Sequence, residues 1–158
     1  MPQLGIDPLR VDTTAQYPIG YETEDPRGGI FAGNKLKYGK ASGTITAADI
    51  CKLDITATAA DRRGVFTRNA AAAEPIDGIA LASLTANQFG WFTTLGLFQN
   101  ANVTTGAVAG AILASSGTAG RAITSPAAAA DANANAGGRR LLCLVLAASN
   151  VADVLIGG

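Results

Sequence analysis

The chain alternates in polarity with a period of two. In "CKLDITAT", residues 51–58, Cys51, Leu53, Ile55 and Ala57 alternate with Lys52, Asp54, Thr56 and Thr58. Only an extended strand sends such a set to one side, so the pattern predicts a half-buried β-strand. "AADRRG" follows as a turn and "VFTR" as a return strand. Further short runs share the pattern: "GIALAS", "FGWFTTL", and the pair "LLCLVLA" and "VADVLI" joined by "ASN". Within "FGWFTTL", Phe89, Trp91, Thr93 and Leu95 fall on one face and Phe92 on the other, so both sides of that strand are expected to be covered. About eight to ten short strands at regular spacing predict an all-β domain, a small β-sandwich or barrel.

The first 27 residues read differently. Pro2, Pro8, Pro18 and Pro26 lie within them. Each proline removes a backbone donor and biases the residue before it toward extended geometry. Neither an ordinary helix nor a central strand fits. Yet Leu4, Ile6, Leu9, Val11, Tyr17, Ile19 and Tyr21 recur along the segment, which an idle tail has no use for. Residues 1–27 are therefore expected to be an extended N-terminal arm lying in a groove, on its own subunit or a neighbour, ahead of a single β-rich domain over 28–158. Leu4, Ile6, Leu9 and Val11 are its candidate anchors. The arm is expected to strengthen binding without being needed for the fold. One later stretch departs from the strand pattern: "SPAAAADANANAGG", 125–138, has the cap, proline and glycine stop of a short Ala-rich helix, with a loop as the alternative.

Charge is scarce and uneven. Twelve basic and twelve acidic residues cancel, there is no histidine, and nineteen of those charges precede residue 78. Only Arg121, Asp131, Arg139, Arg140 and Asp153 follow. A balanced surface supplies no electrostatic reason for nucleic acid or anionic lipid as a partner. A charge-poor half points to surface covered by other subunits, or equally to Thr, Ser and Asn as the solvating groups. Cys51 and Cys143 sit in apolar runs and read as small buried hydrophobes rather than a disulfide. "MPQLGIDPLR" lacks the basic and apolar regions of a signal peptide, and no window is long enough for a spanning helix, so a soluble protein made in the cytoplasm is expected.

"TTGAVAGAILASSGTAG", residues 104–120, has the glycine density of a phosphate loop. A Walker loop requires Lys and Ser/Thr after its last glycine; here Ala111 follows Gly110 and Arg121 follows Gly120. The G-x-G-x-x-G spacing of a dinucleotide loop is also absent. The segment is expected to be a hairpin, with Gly106, Gly110, Gly117 and Gly120 at its bends. A faint repeat pairs "ITAADICKL" (45–53) with "AVAGAILAS" (107–115), and "GIALAS" with "CLVLAAS".

No catalytic or metal site emerges. Lack of histidine excludes Ser–His and Cys–His nucleophiles. Glu22, Glu24 and Asp25 cluster but lack a ligand-loop pattern, and a solvated acidic turn is the preferred reading. Arg62–Arg63 and Arg139–Arg140 read as exposed turn charges. Phe89, Trp91, Phe92 and Phe98 are expected in the core or at subunit contacts, with Trp91 buried, rather than as a stacking platform.

The proline-studded start, "EPIDGIALASLTANQFGWFTTLG" (74–96) and "GAVAGAILASSGTAGRAI" (106–123) together resemble the small decoration, or cement, proteins of tailed-bacteriophage capsids. The resemblance covers roughly residues 40–158. It implies a non-enzymatic, cofactor-free structural virion protein that binds the outside of the head, with the major capsid protein as partner. A homo-oligomer follows, trimer favoured over dimer, with neither nucleic acid nor membrane bound. A phage tail or fibre subunit and a carbohydrate-binding β-sandwich module are the alternatives. Light scattering coupled to gel filtration is expected to report an oligomer. A clean 15.9 kDa monomer at micromolar concentration would overturn that expectation.

Overall fold

The computed structural model describes residues 5–72, 74–104, 112–124, 140–146 and 151–157. They form an all-β protein of ten strands: β1 (Glu22–Glu24), β2 (Lys35–Ala41), β3 (Ile50–Leu53), β4 (Val65–Arg68), β5 (Gly78–Ala80), β6 (Phe89–Asn102), β7 (Ile112–Ser115), β8 (Ala122–Thr124), β9 (Arg140–Leu146) and β10 (Val151–Gly157). A single 3-10 turn, Gly29–Phe31, is the one helical element among the described residues. The stretch 125–138, expected as helix or loop, lies outside them, as do Leu4, Gly106, Gly110 and Arg139.

Five strands close a ring. β2 pairs with β4 in parallel; the pairs β4–β3, β3–β5, β5–β6 and β6–β2 are antiparallel. One side of this small barrel carries a compact cluster of Ala41, Ile45, Cys51, Phe66, Ala80, Leu84 and Phe92. Phe66 and Phe92 stack with ring centroids 3.9 Å apart. Room for them exists because β2 and β5 place glycine opposite. A Cβ on Gly39 would meet Phe66 Cδ2 at 2.5 Å, and one on Gly78 would meet the Phe92 Cβ at 3.3 Å. Trp91, pointing away from Phe92 on the same strand, joins the larger cluster with Leu36, Tyr38, Ile50 and Ile79. That cluster continues into a second sheet through Phe98, Leu113, Val154 and Ile156.

The second sheet is built on the far half of β6. The 14-residue β6 pairs with β2 and β5 up to Leu95, then with β10 from Gly96 onward. β10 pairs with β9, β9 with β7 and β7 with β8, all antiparallel. Ala122 of β8 returns to Val103 through one parallel bridge, so this sheet also curls back toward β6. The change of partner is made at Gly96, whose φ of 103° suits glycine alone. There β2 has ended, and the Asn34 side chain takes its place in the ladder. Its Nδ2 donates to Leu97 O at 2.6 Å, and its Oδ1 accepts from Leu97 N at 2.9 Å. A Cβ on Gly96 would collide with that amide.

Two local expectations change, at the end of β3 and in the segment 104–120. The strand read over 51–58 stops at Leu53, because Asp54 Oδ1 accepts the Thr56 amide and hydroxyl and turns the chain. Ile55, expected inward, is 80% exposed. Of the segment 104–120, expected to be a hairpin, residues 105–111 lie outside the described residues; β7 pairs instead with β8, beyond the segment, with Gly120 at φ 73° in the turn and Gly117 not left-handed. Cys51 is a buried free thiol, and burial raises its pKa well above the usual thiol value.

A Gly39→Ala substitution is expected to cost about 1–3 kcal/mol by driving a methyl into Phe66. Gly43→Ala serves as the control, since a Cβ there meets nothing within 4 Å. Urea denaturation of the two variants measures the difference.

Candidate interaction surfaces

The N-terminal segment has its own barrel as its first partner. Asp12 exchanges two backbone hydrogen bonds with Phe89, at 2.9 and 2.8 Å. Its buried carboxylate accepts the Tyr38 hydroxyl at 2.9 Å and an ion pair from Arg10 at 2.6 Å. Tyr38 Oη in turn accepts the Gln16 amide. Burial, reinforced by Asp12, pushes the Tyr38 phenol up to about 12, so it stays protonated and keeps donating. Further on, Gly20 N donates to Tyr38 O and Tyr38 N to Tyr21 O, and β1 pairs antiparallel with β2. The Tyr17 and Tyr21 rings stack 5.7 Å apart, and both lie against Trp91, at 5.3 and 6.2 Å.

Residues 12–24 pack on the barrel, which runs against the expected independence of arm and fold. The physical reason is that Trp91 and Tyr38 are covered by rings the arm supplies. Ile6 is half-buried and packs on the same core. Leu9 and Val11 remain exposed, Leu9 at 57%. Nothing is described of Leu4.

The candidate aromatics fall into place around this cover. Trp91 is 2% exposed, Phe92 and Phe98 are buried, and Phe89 is half-buried and stacked on Tyr38. A ring so enclosed offers no platform for a sugar. The acidic cluster dissolves into pairs. Glu22 and Glu24 bind Lys37 and Lys35 across β1 and β2, at 2.8 and 2.9 Å. The hydrogen bond and charge of Lys35 hold Glu24 below the usual carboxylate range. Asp25 is buried against the Arg27 guanidinium, which also lies 4.0 Å above the Phe31 ring. Among the described residues no group of three His, Cys, Asp or Glu side chains converges to hold a metal. Arg62 and Arg63 are exposed in the turn before β4; the side chain of Arg140, on β9, is not described.

What sequence reading missed is the concavity next to the arm. It measures about 220 Å³ and is lined by Leu9, Arg27, Phe31, Leu81, Phe98, Gln99 and Asn100. Ile30, beside Phe31 in the 3-10 turn, is 57% exposed. In "RGGIFAG" the apolar pair Ile30–Phe31 was the signal there to be read.

A scan against protein-family models gave no match, and searches of curated proteins and of solved structures gave none either.

Deleting residues 2–20 is expected to lower the melting temperature and shift Trp91 emission to longer wavelength, since Tyr17 and the Asp12 bridge go with it. Emission and melting unchanged from the intact chain would return the arm to a dispensable role.

Proposed function

We propose that the protein is a structural virion component, a decoration or cement protein that binds the outside of a tailed-phage head and stabilises contacts between capsomers. In this reading it is made in the host cytoplasm, assembles as a homo-oligomer, a trimer rather than a dimer, and has the major capsid protein as its partner. The resemblance of residues 40–158 to that family raised the idea. The observation that supports it here is the exposed apolar Leu9 and Val11 of the arm, with Leu9 lining a concavity that Phe31 and Phe98 share.

The mechanism is mechanical. An apolar surface pressed against a shell must be exposed again before capsomers separate, at roughly 25 cal/mol per Å² of apolar area. Binding segments usually lose part of that gain to ordering. In this chain residues 12–24 are already fixed on the barrel, so Leu9 and Val11 project from a rigid base and less is lost. A closed ring suits the task for a related reason: it leaves fewer free strand edges to pair with the wrong partner.

The test uses purified shells lacking the protein. A Leu9→Asp/Ile30→Asp double variant is expected to keep the wild-type melting temperature within about 5 °C, because both side chains are exposed. Its occupancy on the shells at limiting concentration should fall at least tenfold. Full decoration by that variant would overturn the assignment of this surface. Failure of the wild-type chain to bind any shell would overturn the function.

A further inference from the structure

We infer that residues 39–53 and 78–92 are two copies of one self-complementary strand–turn–strand unit, and that the barrel is an internal dimer of it. The surface that each unit presents fits a second copy of itself. The evidence is a set of backbone contacts related by a constant offset of 39 residues. Ile45 N donates to Leu84 O, and Leu84 N to Ile45 O, both at 2.8 Å, across what behaves as a twofold axis. Ala41 N donates to Gln88 O and Ala80 N to Asp49 O; Asn87 N donates to Ala41 O and Ala48 N to Ala80 O. The strand pairs obey the same operator: Ile50 opposite Ile79 and Cys51 opposite Gly78 correspond to Phe89 opposite Lys40 and Gly90 opposite Gly39.

The turns match in detail. Ala48 and Asn87 are both left-handed, each at φ 70°. Thr46 N is capped by the Asp49 carboxylate at 2.8 Å, and Thr85 N by the Gln88 side-chain oxygen at 2.7 Å. Asp49 N and Gln88 N each return to the threonine carbonyl at 3.1 Å. Sequence identity persists where geometry demands it. Gly39 and Gly78 make room for the stacked phenylalanines, Ala41 and Ala80 face the small core, and Thr46–Ala47 matches Thr85–Ala86.

The operator also shows where the copies diverged. In the second unit β5 pairs directly with β6, Ala80 opposite Phe92. The equivalent direct pairing of β2 with β3 is absent, because β4 is inserted between them. That insertion makes the ring five-stranded and brings in Phe66. Outside the ring, Ile50 N donates to Gly120 O and Phe89 N to Asp12 O, so different segments cap equivalent positions.

Equivalence is tested by giving the second turn the first turn's residues in the full chain. A Leu84→Ile/Asn87→Ala/Gln88→Asp variant is expected to melt cooperatively within about 5 °C of wild type. The Thr85 amide should keep its hydrogen-exchange protection, now capped by Asp as Thr46 is. Gln88→Ala, which removes the cap, should lose that protection at least tenfold. The reverse variant Ile45→Leu/Ala48→Asn should likewise retain cooperative melting. Loss of Thr85 protection in the triple variant to the level of Gln88→Ala would overturn the inference. So would loss of cooperative unfolding in both exchange variants.

Discussion

Phe66 and Phe92 lie face to face beside the strands of a five-membered ring, and much else follows from their contact. Two aromatic rings of that size fit only if the strands opposite them carry no side chain, and Gly39 and Gly78 supply the space. Close packing leaves no slack for a methyl group at Gly39. The pair also fixes what the other side of β6 does. With Phe92 turned toward the small cluster, Trp91 must face away from it, and an indole of that area needs a second cover.

Two separate devices provide the cover. At the near end of β6 the arm lays Tyr17 and Tyr21 on Trp91. Beyond Gly96 the strand leaves β2 and takes up β10, so that Phe98, Val154 and Ile156 extend the same apolar layer. The Asn34 side chain makes this change possible. It satisfies the Leu97 amide and carbonyl where the neighbouring backbone has run out, and a buried pair of that kind left unbonded is costly. One long strand thus serves a ring and a sheet, with a register shift in its pairing on each side of the change of partner.

The arrangement bears on function through rigidity. The arm, tied by Asp12, Tyr38 and β1, holds Leu9 at the edge of a concavity rather than on a loose tail. In the proposed role on a capsid, affinity would come from repeated modest apolar contacts made by a base that has little left to order.

Period-two alternation was legible in the sequence because strand side chains obey it locally, whatever they pack against. It located β3, β4, β5, β6, β9 and β10 and opposed Trp91 to Phe92. Prolines ruled out a helix in the first 27 residues for an equally local reason. The end of β3 was missed because an Asp54 turn interrupts an alternation that continues in letters but not in space. The repeat inferred above relates 45–53 to 84–92, a match that the letters did not single out, since Ala, Gly and Thr match many segments and only a shared set of long-range hydrogen bonds distinguishes it. Closure of the ring, the cover of Trp91 by the arm and the concavity at Phe31 belong to the tertiary structure alone. Each depends on pairing between residues far apart in the chain, and the pattern of a single segment carries no record of its partner.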